Sequence, residues 1–120
     1  MGRRRRKAIV SPYESAIQAA VLEHWLTLGL PNTLVAAIPN MGSMGQPGLT
    51  KGLPDLLVIA PRLPVAFIEL KRDEDSAVSD AQRGFGRLCA RMNIPYAICV
   101  GRDEPIRLLE QWGIVRRAAA

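Results

Sequence analysis

Apolar residues at Ile17, Val21, Trp25 and Leu28 recur at helical spacing. Ahead of them, Ser11-Pro12-Tyr13-Glu14 supplies an N-cap, a proline at the first helical position and a carboxylate that closes a capping box. The pattern predicts a helix that starts at Ser11 and ends near Gly29-Leu30-Pro31. Leu34 to Ile38 is a short apolar run, read as a strand. Residues 39 to 54 then hold four glycines and three prolines, which predicts a loop. A connection of that length is uncommon in a compact domain unless it serves a function.

Leu56 to Ala60 and Val65 to Leu70 are apolar runs joined by Pro61-Arg62-Leu63-Pro64, the pattern of two buried strands in a hairpin. Asp73 to Val78 is a polar linker. Ser79-Asp80-Ala81-Gln82 repeats the capping-box pattern and opens a second helix to about Met92. Tyr96 to Val100 reads as a further strand, and Asp103-Glu104-Pro105 begins a last helix that ends at Trp112-Gly113. The order helix, three strands, helix, strand, helix predicts an α/β sandwich around a mixed four-stranded sheet flanked by helices.

Composition narrows the class. At 120 residues the chain makes one domain, and a charged fraction of 22% suits a soluble globular protein. No apolar run approaches the roughly 20 residues of a membrane span. Ser11-Pro12-Tyr13-Glu14 also interrupts the basic start before any signal-peptide core could form, so the expected location is the cytoplasm. Cys89 and Cys99 lack the spacing of a metal site and read as buried free thiols. His24 is the only histidine, which argues against histidine-based catalysis and suits a helix-face residue. Of the net charge of +5, the five positive charges of Arg3, Arg4, Arg5, Arg6 and Lys7 account for all, leaving 11 basic and 11 acidic residues elsewhere. Residues 1–10 thus form a basic arm, suited either to nucleic-acid phosphates or to solubility.

The chemistry lies in Gly52-Leu53-Pro54-Asp55 and Glu69-Leu70-Lys71. If Ala60 faces Val65 in the hairpin, Asp55 falls opposite Leu70; a shift of one residue sets it directly across from Glu69. Cross-strand neighbours have Cβ atoms roughly 4.5–5.5 Å apart, a reach at which two carboxylates can share an ion. Alternation puts Glu69 and Lys71 on one face, and Pro54 biases Leu53 towards an extended strand entrance. A phosphodiester repels an anionic nucleophile unless a cation neutralises it. Carboxylates are the hard oxygen ligands that Mg²⁺ takes while keeping several waters, one of which the ion can acidify. Lys71 could orient that water, aid its deprotonation or stabilise charge on the phosphate. A strand end running into a solvated loop also yields Glu-x-Lys by chance, but an Asp set by Gly-x-Pro at the preceding strand weighs against that reading.

On Glu14, Gly52-x-Pro54-Asp55, Glu69-x-Lys71 and Ser79-x-x-Gln82, the chain resembles the PD-(D/E)xK nuclease superfamily, and within it the VRR-NUC family, across roughly residues 11 to 112. The resemblance implies a restriction-endonuclease-like fold, with a nuclease domain over 11–115 and a tail at 116–120. It implies a metal-dependent DNA endonuclease using Mg²⁺, with Mn²⁺ able to substitute. Asp55, Glu69 and the Leu70 carbonyl would be metal ligands, Glu14 would approach the ion directly or through water, Lys71 would be the catalytic lysine, and Gln82 would support the site. Glu14 and Gln82 each also stand at the third helical position of a capping box, a duty compatible with the first. Stand-alone relatives resemble Holliday junction resolvases of bacterial or phage-infected cells, which implies a homodimer acting on branched DNA. A helicase or recombination partner, or a module that binds nucleic acid without cutting it, are the alternatives. Lys51, beside Gly52, could meet a phosphate near the cleaved bond. Arg83, Arg87 and Arg91 recur every four residues, as either a phosphate-tracking stripe or a solvated helix face.

Overall fold

The structure, a computed structural model, describes residues 12–39, 48 and 50–118. The Ser11 cap, the basic arm from Arg3 to Lys7 and most of the 40–49 stretch lie outside these residues. Seven elements follow in chain order: α1 (Pro12–Leu28), β1 (Leu34–Ala37), β2 (Leu56–Ala60), β3 (Leu63–Lys71), α2 (Asp80–Arg91), β4 (Tyr96–Val100) and α3 (Asp103–Gln111). The strands form one sheet in the order β1-β2-β3-β4. β1, β2 and β3 run antiparallel as a meander, while β3 and β4 run parallel across the α2 connection. This is the α/β sandwich around a mixed four-stranded sheet that the apolar pattern implies.

The hairpin differs in detail from its expected form. Its turn is Pro61-Arg62 alone, because Leu63 already pairs with Ala60. A register shift between Val58 and Ala60 absorbs one residue, and from there Leu56 faces Ile68. Of the two alignments open from sequence, the chain adopts the one that extrapolates to Asp55 opposite Glu69. The bulge next to the turn accounts for the difference, since it inserts one residue on a single strand.

Alternation along β3 divides the molecule. Ala66, Ile68 and Leu70 point to a core shared with Val35, Leu56, Val58 and Cys99, and with Val21 of α1 and Leu109 of α3. Ile114 and Val115, just past α3, are fully buried in the same core. The chain there forms a bridge between Gly29 and Val115, and Arg116 N–H donates to the Leu28 carbonyl. Phe67, Glu69 and Lys71 point to the opposite face, which α2 covers. There Phe67 and Phe85 meet edge to face with centroids 5.1 Å apart, and Phe85 meets Tyr96 at 5.9 Å. Both cysteines are free and buried, as their spacing suggests. His24 lies part-buried on α1.

Candidate active site

Glu69 and Lys71 occupy the last positions of β3 on the α2 face, and both are buried, at 3% and 7% exposure. Charged side chains are seldom buried to that degree unless they are paired. The partner is Gln82. Its Nε2 donates to Glu69 Oε2 at 2.7 Å, and its Oε1 accepts from Lys71 Nζ at 3.1 Å. The same Oε1 accepts from the Ser79 N–H at 2.9 Å, while Ser79 Oγ accepts from the Gln82 N–H, closing the capping box. Cap and site support are therefore one arrangement, with one amide fixing the start of α2 and the side chains of β3.

Lys71 is held on three sides. Besides Gln82, its ammonium donates to the Ala77 carbonyl at 2.8 Å and lies 3.5 Å from Glu69 Oε2. Three acceptors thus face three N–H groups. Ala77 belongs to the polar linker, a residue that the sequence marks only as one of a loop; a backbone acceptor leaves no trace in residue type.

Asp55 enters from the position just ahead of β2. Its own carbonyl accepts from Ile38 N–H towards β1, while its side-chain Oδ2 accepts from the Leu70 N–H at 2.7 Å. Were the β2–β3 ladder to continue, Leu70 would face Pro54. Proline has no N–H to give the Leu70 carbonyl, and in a strand a residue's N–H and C=O point to the same side. The Leu70 carbonyl therefore faces the side on which Asp55 sits.

Gly52 explains the approach of this segment. It has φ of +86°, and an added Cβ would stand 2.5 Å from the Ala81 carbonyl carbon in the first turn of α2. Only glycine lets the strand entrance lie against that helix start. The Gly-x-Pro-Asp and Ser-x-x-Gln motifs are thus two sides of one contact.

The electrostatics are those of anions brought together under cover. Burial, then the Asp55 charge, push the Glu69 carboxyl up to about 7, against the pull of Lys71; Glu14 on α1 also raises it. Burial raises Asp55 as well, opposed by the Leu70 N–H and by Lys71. Among the described residues, Glu69 Oε1 is buried with no hydrogen-bond partner. A buried carboxylate oxygen beside a second carboxyl of raised pKa is a hard oxygen donor set, and it fits Mg²⁺ held by one or two carboxylates and several waters. Among the described residues no three His, Cys, Asp or Glu side chains cluster closely enough to hold an ion. Glu14 reaches the pair by its charge, which raises Glu69 from α1.

The remaining candidates have different surroundings. Lys51 is exposed on the approach to Gly52. Arg87 and Arg91 are exposed on α2. Arg83 is exposed too, but it is occupied locally, donating to the Val78 carbonyl at 2.7 Å and pairing with Asp80. It buttresses the helix start, which weakens the notion of a uniform arginine stripe.

No curated protein matches the chain at a significant level. Three solved chains do. One, described as a VRR_NUC domain, is 25% identical with a TM-score of 0.61, covering 84% of this chain and 97% of its own. Another, described as a VRR_NUC domain protein, is 19% identical with a TM-score of 0.71, covering 91% of this chain and all of its own. The model of the VRR-NUC domain matches residues 30–103, a span that contains Asp55, Glu69, Lys71 and Gln82. The chain belongs to the VRR-NUC family of nuclease domains, within the PD-(D/E)xK superfamily.

Proposed function

We propose that the protein is a Mg²⁺-dependent DNA endonuclease that cuts branched DNA as a homodimer. The observation that carries this reading is the convergence of Asp55, just ahead of β2, with Glu69 and Lys71 of β3, the latter two buried and held by Gln82 and the first held by the Leu70 N–H. A module that only binds DNA gains nothing from burying a carboxylate oxygen that no described residue bonds, which costs roughly 1–3 kcal/mol or more for a charged group.

Asp55, Glu69 and the Leu70 carbonyl would hold the ion, with Glu14 adding negative charge from α1. When bound, Mg²⁺ supplies charge neutralisation at the phosphate and acidifies water. The protein's own part is positioning. The Leu70 N–H fixes the Asp55 carboxylate, and the Gln82 amide fixes the Glu69 carboxylate. Lys71, with its N–H groups already aimed at three acceptors, acts as a fixed positive charge that stabilises negative charge building on the phosphate. That role fits its geometry better than proton abstraction does, because a neutral amine would forfeit part of this network. Two sites in a dimer, each with a basic arm, suit the cutting of paired strands at a junction.

The test is cleavage of duplex, single-stranded, flap and four-way-junction DNA in Mg²⁺, Mn²⁺ or EDTA, with sedimentation of the free protein. The expected result is metal-dependent cleavage, fastest on the branched substrates, by a dimer. Junction binding without cleavage in either metal would replace this reading with that of a binding module. Cleavage gained only on adding a helicase or recombination partner would make the chain a subunit.

A further inference from the structure

A cleft of about 300 Å³ lies between the first turns of α1 and the end of β3, lined by Tyr13, Ile17, Arg72 and Asp73. It is tied to the candidate metal site along the chain, since Glu14, whose charge reaches Glu69, follows Tyr13, and Arg72 follows Lys71. Its volume lies at the lower end of the range for small-ligand sites. Tyr13 is 69% exposed, and among the described residues its ring packs on no other aromatic ring. Ile17 stands four residues on, and therefore on the same helix face. Arg72 and Asp73 are each about half exposed and pair at 3.3 Å. An exposed pair of that kind is worth at most about 1 kcal/mol, so a phosphate can take the place of Asp73.

We propose that this cleft receives an unstacked nucleobase from the nucleotide next to the cleaved bond, stacked on Tyr13 over Ile17, with Arg72 meeting the adjoining phosphate. An open aromatic ring with an apolar floor and one guanidinium is the combination that single-stranded nucleic-acid sites use. A base inside a regular duplex has both faces covered and cannot use it. The cleft thus selects DNA whose bases are already freed, as at branch points. This deepens the reading of the site as a nuclease of branched DNA and rests on it.

The test uses the full-length chain in Ca²⁺, to hold DNA without hydrolysis, with junction, flap and duplex DNA carrying 2-aminopurine beside the branch or at the matching duplex position. The expected result is fluorescence quenching on branched DNA with wild type, Tyr13→Phe and Tyr13→Trp, and none on duplex. Tyr13→Ala loses the quenching and binds branched DNA roughly 5- to 100-fold more weakly, the span of one base-stacking contact. Arg72→Ala weakens binding while keeping the quenching. Absence of quenching in wild type, or equal quenching in Tyr13→Ala with its circular dichroism unchanged, overturns the proposal. If cleavage nonetheless depends on metal and on Asp55, the nuclease reading survives that failure. Quenching without cleavage in Mg²⁺ leaves the cleft as a base-binding site and removes the nuclease.

Discussion

Gln82 uses its amide three times: towards the Glu69 carboxylate, the Lys71 ammonium and the Ser79 backbone. Gln82→Ala removes all three at once. The expected loss is about 1–3 kcal/mol of stability and roughly 10–100-fold in cleavage rate, the usual effect of groups that orient metal ligands; thermal melts and a cleavage time course measure both. Glu69 shows the opposite trade. Without metal its folded-state pKa is raised from the usual 4.5 to about 7. The folded protein therefore holds a proton that the unfolded chain has released. Its stabilising effect is complete below the unfolded value and is lost as pH rises through about 7. The metal-free melting temperature is expected to fall between pH 4.5 and 7 for this group. Glu69→Gln keeps an acceptor for Gln82 and cannot ionise. It is expected to flatten that pH dependence and raise the metal-free melting temperature at pH 8, while abolishing cleavage. A Glu69→Gln protein that melts earlier than wild type at pH 8 would show that the buried charge is not a destabilising one.

At the scale of elements, the site is a joint between two strand ends and one helix start. Gly52 is the hinge pin of that joint, with positive φ and no room for a Cβ against Ala81. Gly52→Ala is expected to cost roughly 2–4 kcal/mol, from backbone strain and overpacking. It should also lower cleavage in the fraction that stays folded, because Asp55 and Gln82 are both displaced; denaturant titration with a cleavage assay checks it. Much of this joint was legible in residue order. The apolar runs located each described strand to within two residues, and a capping-box pattern marked the start of α2. Alternation placed Glu69 and Lys71 on one face. The register was open by one residue, because the bulge between Val58 and Ala60 has no signature in side-chain type. The Ala77 contact and the engagement of Arg83 were hidden for a related reason. Both depend on backbone carbonyls, of Ala77 and Val78, which any residue carries.

Across the whole molecule, the two faces of the sheet divide the labour. α1 and α3 pack the apolar core on one face, and α2 with the reactive groups occupies the other. Among the described residues no helix is long and apolar enough to cross a membrane. The basic excess sits in residues 3 to 7, and the rest of the sequence carries balanced charge. If that arm meets phosphates, replacing its five cations with glutamine is expected to weaken DNA binding. It should also reduce the slope of log affinity against log salt by up to about 4–5. An unchanged slope would assign the arm to solubility alone. In the proposed function, two strand ends and a helix start assemble a metal site for phosphodiester hydrolysis. That function is tested most directly by a cleavage time course on end-labelled junction DNA in Mg²⁺, with wild type beside Asp55→Asn purified in the same way. The expected result is cleavage by wild type that EDTA stops, and a rate at least about 100-fold lower for Asp55→Asn. Equal rates for the two proteins, or cleavage that continues in EDTA, would contradict it.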